Sequence, residues 1–111
     1  MSKVGEGKDL PKEPTIEKYH QEVEVNAAKF LNALEGYQGA TPEEKAHLKL
    51  VMDQSMALMK AAVSEIKYAG INKQEVKVEK DYHEYLKNEN PENLSALEED
   101  LSTLRDYNKL K

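Results

Sequence analysis

From Pro42 to Ala69 the chain carries no internal glycine and no proline after its first position. Such a run predicts one helix, about 42 Å long at 1.5 Å per residue, and the rest of the chain must pack around it. Its start is written in side chains. Thr41 offers an oxygen to the free amides of the first turn. Pro42 has no amide to satisfy, and Glu44 lies three residues after Thr41, the spacing of a capping box. Glu43 and Glu44 also face the positive end of the helix dipole. Gly70 is read as the left-handed residue that stops the helix, with Ile71 folding back onto the last turn.

At 100° per residue, Leu48, Val51, Met52, Met56, Met59, Ala62, Val63 and Ile66 fall on one side of this helix. Leu50, Ala57, Ala61 and Tyr68 form a weaker stripe roughly opposite. Two apolar sides predict a central helix with neighbours on both.

Ahead of it, residues 1–13 alternate charge with glycine and proline and show no apolar period, the pattern of a flexible tail. The next apolar positions are Ile16, Tyr19, Val23, Ala27, Phe30, Leu34 and Tyr37. They are spaced 3, 4, 4, 3, 4, 3, which predicts a helix over 14–35 ended by Gly36 and Gly39. The turn that follows is short, so the first two helices should run antiparallel. Asn72 and Glu75 suggest a third start and a helix over 73–88, with Val78, Tyr82, Tyr85 and Leu86 inward. The alternation Glu75-Val76-Lys77-Val78 also suits a short strand. The helix is preferred because no partner strand is visible. Asn90 followed by Pro91 starts a helix over 91–107, whose Leu94, Leu97, Leu101 and Leu104 make a narrow seam of coiled-coil width. The predicted fold is therefore all-α. It is a single helical domain over 14–111, a small four-helix bundle built on a long antiparallel hairpin.

Composition narrows the function classes. A net charge of −5, with no basic patch, disfavours nucleic acid. No apolar run is long enough to span a membrane. Cysteine is absent, which removes disulfides, thiolate metal sites and cysteine nucleophiles. That fits a cytoplasmic protein, and equally one exported without a cleaved signal peptide. No serine has a triad context, no glycine-rich turn holds phosphate, and the carboxylates read as solvated among lysines, so no enzyme and no cofactor are expected.

Three constellations remain. Glu17/His20 and Glu44/His47 are both Glu-x-x-His, the ligand pair of di-metal bundles. They open consecutive antiparallel helices and so lie at opposite ends. Counting heights brings His20 level with Met59 and His83, so that His20, Glu79 and His83 form an alternative metal site. The third is a pair of apolar surfaces: Met52, Met56 and Met59 on helix 2, and Leu94, Leu97, Leu101 and Leu104 on helix 4. Flexible methionine suits adaptable binding faces. The reading preferred is a non-catalytic protein-interaction module, an adaptor or chaperone-like or regulatory partner, binding another protein or itself through these faces. A structural subunit of a homo-oligomeric assembly and a metal- or ligand-binding bundle are the alternatives.

Overall fold

A computed structural model describes residues 13–110, with side-chain surroundings for 17–109. Of the tail expected over 1–13, residues 1–12 lie outside the described residues and Glu13 opens the first helix; the side chain of Ile16 also lies outside them. Those described form four helices and no strand: α1 (Glu13–Tyr37), α2 (Pro42–Ile66), α3 (Ala69–Lys87) and α4 (Pro91–Leu110). Each helix packs on its neighbours in sequence, and α1 closes the ring against α4. The result is the all-α four-helix bundle that the periodicity predicts.

The capping chemistry holds at two starts. Glu44 N donates to Thr41 Oγ1 at 3.2 Å while Thr41 N donates to Glu44 Oε1 at 3.1 Å, a reciprocal capping box. Asn93 N donates to Asn90 Oδ1 at 2.8 Å, so Asn90 caps α4.

Several boundaries differ from expectation, and α4 runs on to Leu110 instead of ending at 107. Gly36 does not end α1. Leu48 of α2 packs so close that a Cβ on Gly36 would sit 3.5 Å from Leu48 Cδ1. The helix continues through it to bury Tyr37, whose hydroxyl donates to Glu89 Oε2 at 2.7 Å. Burial, and then the Glu89 carboxylate, push the Tyr37 pKa up to about 12. Nor does Gly70 stop α2. The left-handed residue is Lys67, at φ 61°, whose amide donates to Val63 O. Tyr68 is extended, and α3 begins at Ala69 rather than Lys73, which carries Ile71 into the core. Asn72 is therefore no cap; its side-chain amide donates to Tyr68 O from inside the first turn. Residues 75–79 are helical, so Val78 is buried and Val76 exposed.

The core is filled from all four helices: Phe30 and Leu34, Met52 and Met59, Ile71 and Tyr82, Leu97, Leu101 and Leu104 among others. Phe30 meets Tyr82 edge-to-face across the centre, centroids 5.0 Å apart. Where the two hairpins meet, polar ties are added. His20 and Asn108 exchange two hydrogen bonds between α1 and α4, and Arg105 pairs with Glu24 at 3.0 Å. Between α2 and α3, the Tyr82 hydroxyl donates to Asp53 Oδ1 at 2.6 Å. Burial opposes the Asp53 charge, but the hydrogen bonds from Tyr82 and Lys49 outweigh it and lower the pKa. Burial, then Asp53, raise that of Tyr82.

Candidate functional site

The proposed metal ligands do not converge. Because Asn108 Nδ2 donates to His20 O at 2.9 Å, its Oδ1 is the acceptor left for His20. His20 Nδ1 is therefore the donor, at 2.7 Å. The imidazole thus locks α1 to α4. Glu79 instead pairs with Lys60 of α2 at 3.6 Å, and His83 is exposed beside the Tyr82 ring. The height count is also wrong along the axis: Phe30 meets Tyr82, so in parallel α1 and α3 His83 lies roughly 16 Å further along the bundle than His20, which faces Asn108 of α4 instead. Among the described residues no group of three His, Cys, Asp or Glu is placed to hold a metal ion. Nor is any helix among them long and apolar enough to cross a membrane.

The apolar candidates form the interior. Met52, Met56 and Met59 are at most 5% exposed, and Leu97, Leu101 and Leu104 are fully covered. Only Leu94, near the start of α4, is partly open, and it packs on the core edge. These side chains fill the space between hairpins, so as folded none offers a free binding face.

Sequence reasoning missed desolvated carboxylates on α3. Glu75 is 3% exposed, and its Oε2 is buried without a hydrogen-bond partner. Burial, and then the neighbouring Glu79 charge, push its pKa up to about 7 against the partial relief of Lys60. Asp81 is raised to about 6 by burial, then by its hydrogen bond to Asp100 and that group's charge. The signal was present: Ile71, Glu75, Val78, Tyr82 and Tyr85 follow at spacings 4, 3, 4, 3, so Glu75 lies on the buried stripe. It was assigned to a cap that does not form. Neither carboxylate lines the clefts near Gly36, His20 or Asn90.

The exposed feature that stands apart is the outer side of α2. This helix packs on α1 and α3 from its methionine side, and among the described residues no element covers the opposite side, where a second neighbour was expected. Leu50 is 60% exposed and Leu58 53%. Around them Ala46, His47, Gln54, Ala57, Ala61 and Ser64 are also exposed. None of these residues is Lys, Arg, Asp or Glu; on this side charge sits toward the ends, at Glu43 and Glu65, and along one flank, at Lys49 and Lys60. On α1, Val25 is 51% exposed but lines the cleft with His20, Asn108 and Lys109 at the α1–α4 side. At the open end of the outer α2 face, Gly36, Glu43, Glu44, His47 and Leu48 line a groove of about 520 Å³. Sequence periodicity had found Leu50, Ala57 and Ala61 but gave them a neighbour. Comparisons with protein families, with curated proteins and with solved structures return no match for the chain.

Proposed function

We propose that the chain is a non-catalytic protein-interaction module that docks through the outer face of the α1–α2 hairpin. The observation that carries this is the exposed stretch of Leu50, Gln54, Ala57, Leu58 and Ala61, whose charged neighbours lie at its ends and flank. A surface serving only solubility would carry charge there. Contiguous exposed apolar residues framed by polar ones mark contact sites. Support for a non-catalytic role comes from the buried carboxylates, which lie away from the clefts.

The test is site-specific photo-crosslinking in the native cell. A photoreactive residue at position 58 should give a discrete protein adduct, and one at Lys73, exposed on α3, should not. No adduct from position 58, or equal adducts from both, would sink the proposal.

A further inference from the structure

The outer face of α2 has an internal order that points to its occupant. His47, Leu50, Gln54, Ala57, Ala61 and Ser64 are spaced 3, 4, 3, 4, 3, the seam of a coiled coil, and all are exposed. That spacing reads the same in both directions, so the seam can meet a reversed copy of itself in register. Such a pairing sets His47 against Ser64 of the second copy, Leu50 against Ala61 and Gln54 against Ala57. Each layer then joins one larger and one smaller side chain, the arrangement that lets facing positions interdigitate. A parallel pairing would instead stack Leu50 on Leu50 and Ala57 on Ala57, leaving the seam bulky at one level and hollow at the next.

The dipoles agree: the reversed pairing opposes the two helix dipoles and sets the Glu65 carboxylate within reach of the His47 ring of the second copy, with Glu43 and Glu44 a turn further out, whereas the parallel one sets Glu65 against Glu65. Area agrees as well. From Ala46 to Glu65 the helix spans about 30 Å, and with α1 alongside the face is about 20 Å wide. That is roughly 600 Å² per copy and about 1,200 Å² in total, the lower end of the range for stable interfaces.

We infer that the partner at this face is a second copy of the chain, docked by a two-fold axis that runs α2 antiparallel to α2. The inference rests on the interaction-module reading and names its occupant. The two-fold makes the contact isologous and closed, so it yields a dimer and no filament.

The absence of native cysteine makes the test clean. His47→Cys and Ser64→Cys variants are prepared separately, both at exposed positions, and checked for unchanged helical circular dichroism. After mild oxidation, the mixture should yield a covalent dimer joining the two variants. Each variant alone should stay uncrosslinked, because in the antiparallel dimer its two thiols are about 25 Å apart at 1.5 Å per residue, far beyond disulfide reach. Light scattering on the unmodified chain should show a monomer–dimer equilibrium. Leu50→Glu should weaken that equilibrium at least tenfold without changing helix content. Crosslinking of each variant with itself would overturn the antiparallel arrangement, and a strict monomer at several hundred micromolar would overturn the dimer. If the chain is monomeric while position 58 still crosslinks a different protein, this inference fails and the interaction-module reading survives. If position 58 crosslinks nothing, both fail.

Discussion

Helices α2 and α3 break the rule of apolar inside and charged outside in opposite ways. The outward side of α2 keeps Leu50 and Leu58 in water. The inward side of α3 takes Glu75 and Gln74 out of it, with Asp81 at the margin. The difference lies in what each departure does to folding. An exposed leucine is nearly neutral to the monomer, because it is exposed in the unfolded chain too. A buried carboxylate disfavours the folded state whenever it is charged. The first kind of departure therefore leaves stability alone and marks a surface, whereas the second is felt as stability and as its dependence on pH. Gln74 shows how such a residue is accommodated: its amide donates to Asp100 O at 2.8 Å and ties α3 to α4. Glu75 Oε2 has no such bond.

The largest test of this contrast sets the two sides of α2 against each other. Met56→Glu places an unpaired charge in the core and should cost about 4 kcal/mol or more. Total stability for a domain of this size is about 5–15 kcal/mol, so the variant should lose a large share of it and unfold at a far lower urea concentration than the parent. Leu101→Asp, at a fully buried position of α4, should do the same. Leu50→Glu, on the same helix as Met56, should change the unfolding free energy of the dilute monomer by no more than about 0.5 kcal/mol in urea. A Met56→Glu variant with the parent's urea midpoint would show that the methionine side opens readily.

The second test addresses α3 through pH. The fold raises the Glu75 pKa from 4.5 to about 7. Between those values the folded chain holds a proton that the unfolded chain releases. Stability from this group is therefore fully present below pH 4.5 and is lost as pH rises through about 7. Glutamine cannot ionise and removes that loss. Glu75→Gln should be more stable than the parent by about 2–3 kcal/mol at pH 8 and equal to it at pH 4. A smaller slope of the same sign should remain from Asp81, whose pKa rises from 3.8 to about 6. Equal stability of variant and parent at pH 8 would mean that the Glu75 carboxylate reaches water when charged.

A third test asks how α3 came to bury an acid, and it bears on how the sequence was read. Val76 and Val78 would share a face in a strand but lie about 200° apart on a helix. The structure leaves Val76 61% exposed and Val78 fully covered. Val78→Ala should therefore cost about 2 kcal/mol. Val76→Ala should gain up to about 0.5 kcal/mol from helix propensity. Similar losses at both sites in thermal melts would favour the strand.

What the sequence made legible is what local chemistry decides. The Thr41–Glu44 capping box and the Asn90–Pro91 start needed only neighbouring residues, and both formed. The stripes of α1 and α4 needed only period. What stayed hidden depended on other helices. Gly36 looks like a stop until Leu48 is packed against it. The second stripe of α2 looks buried until the ring of four helices leaves none of the described residues outside it. His20 looks like a ligand until α4 supplies Asn108. Glu75 looks like a capping residue until α3 starts at Ala69.

The junction between α2 and α3 offers the smallest effect and isolates one of these boundaries. Gly70 was the obvious residue for a left-handed stop, yet Lys67 adopts that conformation. The reason is the position of Ile71, which reaches the core only if α3 has already begun. A lysine at φ 61° carries about 1–2 kcal/mol of steric cost that glycine lacks. Glycine in turn loosens the unfolded chain by about 0.4–1 kcal/mol. The net for Lys67→Gly is a gain of about 0.5–1 kcal/mol, read as a higher urea midpoint with an unchanged slope. Gly70→Ala tests the other half of the boundary. At that position a Cβ would meet the Tyr68 ring at 3.2–3.3 Å, so the ring must shift for alanine to fit. If Lys67→Gly destabilised and Gly70→Ala did so more strongly, the left-handed stop would belong at Gly70 after all. The start of α3, and with it the burial of Glu75, would need redrawing.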